Sequence, residues 1–415
     1  MERMIKNTDT RFLPILLGTD ANAYGMARNF YEAYGMKSLA LGKIPLLETR
    51  HSHIVHVETF DGFDKDERFL EILQDVLLTY KGFYDQLILI ACGDRYTELL
   101  CNHKEQLQEQ FVIPYIDRAL KEQLENKEDF YNICEQYGLD YPATLVLHKE
   151  DQAPFDLPFD FPVAVKASDS IAYVDLDFPG KKKAYKANTA EELAQIHADI
   201  YRAGYPGTLI VQDFIPGDDA TMYVLNSYSD AQGKVQAMCL GHCVLEDYTP
   251  AGIGNYNAII QEGVQEVYDQ YKSFLEAIGF VGFSNFDMKY DERDGKYKVF
   301  EINIRQGRSS FFTTVSGCNL VPYLVRDRID HVKNDVTHYH NNPSLWIHVP
   351  KKLLLTYAPE RTLPQIRRLL NSGRWDCTLL TDKDRSWYRS IMINRFYYQQ
   401  WQRYKEWFNK RSIND

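Results

Sequence analysis

No apolar run in the sequence approaches the ~20 residues that a bilayer-crossing helix requires. Phe12–Gly18 is apolar, but it is too short for the core of a signal peptide with a cleavage site, and Asp20 follows at once, so it is expected to be a first strand. A disulfide framework is also missing. The seven cysteines (Cys92, Cys101, Cys134, Cys239, Cys243, Cys318 and Cys377) are odd in number and scattered, which points to a reducing, cytoplasmic location. Positive charge is scarce: 47 Lys and Arg stand against 58 Asp and Glu, a formal net charge of −11. A nucleic-acid partner is therefore not expected, although an acidic chain still has room for a local basic site. There is no Gly-x-Ser-x-Gly nucleophile elbow, and Gly252-Ile-Gly254 follows no clear strand and lacks the rest of a dinucleotide fingerprint. Cys239-Leu-Gly-His242-Cys243 has no second cluster to complete a zinc site and reads as core. Internal repeats and low-complexity linkers are absent.

What remains is an ordinary globular composition, 45% hydrophobic and 25% charged, over 415 residues. At ~150 residues per domain this length predicts two or three domains. The first ~120 residues alternate short apolar strands (Phe12–Gly18, Ser38–Leu41, Ile54–Val57, Leu87–Ala91) with helical stripes such as Phe69, Leu70, Leu73, Val76 and Leu77, a pattern for a parallel α/β sheet. Asp20 and Asp94 fall at strand ends, where open α/β sheets gather ligands; both also read as helix N-caps. From Lys127, which opens a helix ending at Gly138, the pattern becomes α+β. Strands are expected at Phe161–Lys166, Thr208–Gln212, Met222–Ser227, Val281–Tyr290 and Lys296–Ile304, and helices at Glu191–Ala203 and Glu262–Ile278.

Three groups of residues carry chemistry. On the last two strands, side-chain alternation puts Asn285, Asp287 and Lys289 on one face and Glu301, Asn303 and Arg305 on one face. Two carboxylates and an amide oxygen are hard ligands suited to Mg²⁺, and a guanidinium beside them suits developing negative charge. A solvated sheet face with cross-strand ion pairs would need the same residues. Second, Lys166 ends the apolar strand Phe161–Lys166, and the loop after it carries Ser168, Ser170, Gly180 and Lys181–Lys183. A lysine on a buried strand needs an anionic partner, and a polar basic loop can close over phosphates. Third, Val211–Asp219 runs from a strand into a Pro216-Gly217 turn, where Gln212, Phe214 and Ile215 offer an amide edge and an apolar wall for a purine.

Lys127, the Val-Lys strand end, Gln-Asp-Phe-Ile-Pro-Gly-Asp-Asp and the Asp…Glu-x-Asn-x-Arg pair together resemble the ATP-grasp superfamily over roughly Lys127–Gly317. Within it, Leu17–Arg28, Ala91–Tyr96, Gly254–Ala258, Arg305–Ser310 and the tail resemble the D-aspartate ligase branch. The resemblance implies a Rossmann-like pre-ATP-grasp domain over 1–120, a two-lobed ATP-grasp domain over 121–325 and a C-terminal extension over 326–415. It implies ATP and Mg²⁺ as cofactors. Lys127, Lys166 and Ser168 would lie at the phosphates, Gln212, Asp213 and the backbone at Ile215 at adenine, and Asp219 at ribose. Asp287, Glu301 and Asn303 would hold Mg²⁺, while Lys166 and Arg305 act at the reacting carboxyl phosphate. Arg308, Ser309 and Ser310 are candidates for the donor's free carboxylate, and Ser168–Lys183 and Ala251–Ala258 for lids. The implied reaction joins the β-carboxylate of D-aspartate to the side-chain amine of the diamino acid in a UDP-linked or lipid-linked peptidoglycan precursor. The alternatives are the same chemistry on another amino acid or peptide, and a non-catalytic ATP-binding protein.

The tail has its own composition. Arg385–Arg411 holds seven basic residues against Glu406, interleaved with aromatics from Trp387 to Phe408. Two expectations stand open: a terminal helix docked on the core, and a surface for anionic substrate groups or a membrane.

Overall fold

The computed structural model describes residues 10–169, 172–173, 176–249, 252 and 254–414, with side chains up to Lys410. Ser170 and Ala251, which belong to the two expected lids, lie outside the described residues, as does the side chain of Arg411. Contacts divide the chain into two units. One comprises Met1–Lys121, Asp218–Phe286 and Asn303–Asn414; the other comprises Glu122–Gly217, Asp287–Ile302 and Asp415.

In the first unit, β1 (Phe12–Leu17), β2 (Ser38–Gly42), β3 (Val55–Thr59) and β4 (Gln86–Ala91) form a parallel sheet in the order β3-β2-β1-β4. β1 and β2 are buried along their whole length, as uninterrupted apolar strands of a covered parallel sheet must be. Asp20 caps helix Ala21–Tyr34 by accepting from the amides of Asn22 and Ala23, both at 3.1 Å, and Gly35 at φ 68° ends it. Helix Asp66–Tyr80 buries Phe69, Ile72, Leu73, Val76 and Leu77, essentially the stripe legible in the sequence.

The second unit holds an antiparallel sheet of β5 (Thr144–Leu147), β6 (Val163–Ala167), β7 (Tyr185–Ala187) and β8 (Leu209–Asp213), ordered β5-β8-β6-β7. Val163 and Val165 point into a core with Leu193, Ile200, Leu209 and Val211. Strand alternation therefore turns Lys166 to the opposite face. Helix Lys127–Tyr137 begins where the sequence places it, capped by Asn126, and Thr189 caps helix Ala190–Arg202.

A larger sheet contains β9 (Met222–Ser229), β10 (Val235–Glu246), β11 (Tyr256–Gln261), β12 (Gly282–Asp291), β13 (Lys296–Asn303), β14 (His338–His340), β15 (Leu345–Ile347) and β16 (Trp375–Cys377). Its order is β13-β12-β9-β10-β11-β15-β16, with β14 against β10. The division between units falls within β12 and β13. The C-terminal extension is thus more than a helix, because β14, β15 and β16 complete this sheet. Strands of three residues are too short to display a period in the sequence. The final helix, Trp387–Asn414, lays Ile393 and Tyr404 into the core and donates from the Tyr404 hydroxyl to the Glu246 carbonyl. Its Arg389 is buried over the Tyr24 ring beside Asp384, which accepts from Tyr24, Ser52 and the His53 amide.

Gly282 opens β12 at φ +93°, and a Cβ there would lie 1.8 Å from the Pro114 carbonyl oxygen. Gly295, at φ +74°, faces nothing closer than 3.7 Å. Gly295→Ala should therefore cost about 1–2 kcal/mol, the ordinary penalty for an L-residue in left-handed backbone. Gly282→Ala adds a backbone collision and should cost more than about 3 kcal/mol. Urea titration of the two variants checks this; equal losses would show that the approach to Pro114 does not constrain the fold.

Candidate functional site

Glu301 lies on β13 in the second unit with its side chain 48% exposed. The ammonium of Lys127, from the first residue of its helix, is 3.3 Å from Glu301 Oε2. Lys166, at the end of β6, sits with its ammonium 4.7 Å from the centre of the Phe300 ring. Phe300 is held in turn by the Tyr131 hydroxyl, which donates to its carbonyl at 2.9 Å. Burial, and then the charge of Lys127, pull the Lys166 amine down to about 8, while Glu301 works the other way. Lys127 first, with Lys166 and Lys183 behind it, holds the Glu301 carboxyl down to about 2. Several cations thus crowd one carboxylate, and the electrostatic balance favours an additional anion.

The purine-edge candidates lie in the same unit. Gln212 on β8 is 1% exposed, and its amide nitrogen donates to Thr144 Oγ1 at 2.9 Å. Its carbonyl oxygen is buried without a hydrogen-bond partner. An orphan acceptor of this kind is costly unless a ligand supplies the donor. Ile215 is buried. Asp213 is committed elsewhere, taking both guanidinium nitrogens of Arg293 at 3.1 and 2.5 Å. The Ser168 hydroxyl accepts from the Thr208 amide at 3.2 Å and lies 3.3 Å from the Tyr205 hydroxyl. Lys186 and Lys289 place their ammoniums 4.5 and 5.6 Å from the Phe214 ring centre. Neither was singled out for the nucleotide from the sequence. Lys186 sits in a three-residue strand that carries no period in the sequence; in the structure it pairs with Ala164, which also pairs with Gln212.

Asn303, where β13 enters the first unit, donates its amide nitrogen to Asn285 Oδ1 on β12 at 3.0 Å. This contact puts Asn285 and Asn303 on one face. Within its own strand, Asp287 comes two residues after Asn285 and Glu301 two residues before Asn303, positions that alternation gives the same side as that asparagine. Among the described residues no three His, Cys, Asp or Glu cluster to cage a metal. Two carboxylates and an amide are the sparse set that suits Mg²⁺ completing its shell with waters and phosphate oxygens.

Downstream, the 305–310 segment is tied to the parallel sheet within the first unit. Asn22 donates to the carbonyls of Gln306 at 3.0 Å and Cys92 at 3.3 Å, and Gln306 Nε2 donates to the Ala91 carbonyl at 2.8 Å. Arg305 is paired with Asp94 at 2.6 Å. Asp94 is the first residue of its helix, and Gly93 takes the cap position, so only Asp20 of the two expected caps is one. Arg308 donates to the Tyr256 carbonyl at 3.0 Å, and its Nε is buried without a partner. Burial lowers its affinity for a proton, and Asp247, Asp20 and Glu48 oppose that. Ser309 and Ser310 are buried beside it. Asp219, also in this unit, is 4% exposed and accepts from the Glu246 amide and the Tyr248 hydroxyl at 2.9 and 2.8 Å. Asp218 is half exposed and paired with Arg361. Cys239 and Cys243 are core residues, and His242 bonds the Ala220 carbonyl.

No family model matches the chain. Among solved structures it resembles an N5-carboxyaminoimidazole synthetase from Staphylococcus aureus complexed with ADP. The TM-score is 0.57, at 13% identity over 84% of each chain. It also resembles the biotin carboxylase domain of a Hydrogenobacter thermophilus 2-oxoglutarate carboxylase in complex with MgADP, ADP and bicarbonate. There the TM-score is 0.57, at 14% identity over 79% of this chain and 72% of that one. The fold is that of the ATP-grasp enzymes, and the class is that of ATP-dependent carboxylate–amine ligases. Over 99% of both chains it is 46% identical to the D-aspartate ligase of Enterococcus faecium (strain Aus0004), and it belongs to the D-aspartate ligase family.

Because Glu301 favours the charged form of Lys166, Glu301→Gln should move the Lys166 amine to titrate below about 8. The pH dependence of the carbon-13 shifts of methylated lysines reads this directly, with Lys166→Arg assigning the signal. An unchanged or raised midpoint would place Glu301 outside electrostatic reach of Lys166.

Proposed function

We propose that this chain uses ATP and Mg²⁺ to join the β-carboxylate of D-aspartate to the side-chain amine of the diamino acid in a peptidoglycan precursor, UDP-linked or lipid-linked. The observation that carries the nucleotide half of this reading is the crowding of Lys127 and Lys166 around Glu301, which suits a polyphosphate. The donor is the one in the family relative's name, and the acceptor is the one implied by the resemblance of Leu17–Arg28 and Arg305–Ser310. The seven buried free thiols suit a reducing cytoplasm.

In this reading Lys127, Lys166 and Ser168 hold the phosphates. The orphan oxygen of Gln212 accepts from the adenine amine, with Ile215 as wall and backbone edge. Asp213 lies at the nucleotide and Asp219 at ribose; each carboxylate already accepts protein hydrogen bonds and keeps acceptor sites beside them. Asp287, Glu301 and Asn303 hold Mg²⁺, which when bound offsets charge on the phosphate oxygens. The donor carboxylate attacks the γ-phosphate, giving an acyl phosphate and ADP, and the acceptor amine then displaces phosphate. Arg305, kept in place by Asp94, faces the negative charge of both steps. Arg308, with its unpaired Nε, and Ser309 and Ser310 take the donor's other carboxylate. The described parts of Ser168–Lys183 and of 251–258 exclude water, which would hydrolyse the acyl phosphate.

Phosphate release measured with ATP, Mg²⁺, hydroxylamine and a panel of D- and L-amino acids should depend on D-aspartate. Turnover with another amino acid would keep the ligase and remove that donor. Nucleotide binding without turnover on any donor would remove the catalytic reading. Glu301→Ala should lower turnover by at least about a hundredfold with the fold intact by circular dichroism. The affinity for MgATP should be flat below pH 8 and fall above it, because the free Lys166 amine loses the charge that meets phosphate. Lys166→Arg, charged throughout, should bind with little dependence on pH over the same range.

A further inference from the structure

Arg308 and Asp219 come from distant segments of the first unit, yet both lead to one hydroxyl. Tyr404, on the helix Trp387–Asn414, is 1% exposed. Its hydroxyl accepts from Asn257 Nδ2 at 2.8 Å and donates to the Glu246 carbonyl. Chemistry fixes the direction of these bonds. A guanidinium has donors only, so the Asn257 amide must turn its oxygen to Arg308, whose Nη2 lies 3.5 Å away, and its nitrogen to an acceptor. The Tyr404 oxygen is that acceptor, and its own proton is left for the Glu246 carbonyl. Burial pushes the Tyr404 phenol well above its ordinary value, so that proton stays in place. On the other side, the Glu246 amide donates to Asp219 Oδ2 at 2.9 Å, beside the Tyr248 hydroxyl at 2.8 Å. The β10–β11 register slips between Cys243 and Leu245 and again between Leu245 and Glu246, an irregularity that turns backbone groups away from the ladder. The Tyr404 ring packs against Tyr248 and Tyr357, with ring centres 5.5 and 5.2 Å away.

We propose that the Tyr404 hydroxyl is a positioning group for both halves of the site: through Asn257 it orients Arg308 for the donor's free carboxylate, and through the Glu246 backbone it seats Asp219 for the ribose. This role rests on the donor and ribose positions given to Arg308 and Asp219 above, and Tyr404 itself contacts neither substrate. Tyr404→Phe keeps the ring but takes the partner from the Asn257 amide nitrogen and from the Glu246 carbonyl. Both groups are buried, where an unmet polar group is costly and its neighbours shift to satisfy it. The Asn257 amide is then free to turn, and Arg308 loses the acceptor that faces it. The C-terminal helix is thereby part of the shell that holds the binding groups in place. A packing role for the same hydroxyl would lower stability and the amount of active enzyme without changing how either substrate binds.

Steady-state constants of the full chain with MgATP, D-aspartate and hydroxylamine separate the two branches. Tyr404→Phe should raise KM for D-aspartate and for MgATP, each by about tenfold, with kcat within about threefold. Asn257→Leu, which cuts one branch, should raise KM for D-aspartate alone. Tyr248→Phe, which removes a direct donor to Asp219, should raise KM for MgATP alone. Tyr268→Phe is the control. It removes a similarly buried hydroxyl that accepts from the Leu240 amide at 3.0 Å and donates to the His340 carbonyl at 2.6 Å, and both KM values should stay at wild type. Arg308→Lys keeps the charge but loses the planar fork, and should raise KM for D-aspartate. If it does so while Tyr404→Phe moves neither KM more than Tyr268→Phe does, the positioning role is overturned and the donor position stands. If Arg308→Lys leaves KM for D-aspartate unchanged, the donor position falls and the role of Tyr404 falls with it. Where turnover follows another amino acid, KM for that amino acid replaces the one for D-aspartate in each comparison.

Discussion

Glu301 sits among lysines, and the charge imbalance around it is the constraint that gives the second unit its chemical character. A lone carboxylate cannot satisfy Lys127 and Lys166 together. Lys127 makes the ion pair at 3.3 Å, and Lys166 is left against an aromatic ring with its proton loosened. Such a cluster of cations is electrostatically unfavourable by itself and favours the approach of an anion. The orphan oxygen of Gln212 is a second unfavourable feature of the same kind, on the same sheet.

The first unit works differently, by making its polar groups partner one another. Asn22, Gln306, Ala91 and Cys92 form a buried hydrogen-bonded bridge from the ends of β1 and β4 to the residues after β13. That bridge sets where Arg305 and Arg308 begin. Asp94 pairs with the first guanidinium, and the Tyr256 carbonyl takes one nitrogen of the second, whose Nε is buried without a hydrogen-bond partner. Buried side-chain amides bonded to backbone carbonyls hold this segment in place.

Much of this was legible in the sequence for identifiable reasons. The parallel sheet was visible because β1 and β4 are nearly uninterrupted apolar runs, and the helix Lys127–Tyr137 because Gly138 ends it. Strand alternation alone groups Asn285 with Asp287 on β12 and Glu301 with Asn303 on β13, which is why the sequence offered them as a candidate metal set. Asp94 as the partner of Arg305, Lys186 beside Phe214 and the strands β14–β16 were not legible. The first two are contacts between segments far apart in the chain or hidden in a three-residue strand, and the last are too short to carry a period. The tail was ambiguous in sequence because its helix has two apolar faces, and only burial separates Ile393 and Tyr404 from Trp387 and Ile391.

The sequence by itself determined the residue types, their alternation along strands and the family, because these depend on neighbours within a few positions or on identity with a relative. The tertiary structure decided which charges are paired and which are left over. Whether Lys166 has a counterion, whether the Gln212 oxygen has a donor and whether Asp213 or Asp219 is already committed depend on groups brought together from distant parts of the chain. The cost of leaving such a group unpaired depends on how far it is removed from water, a property of packing that no local pattern encodes.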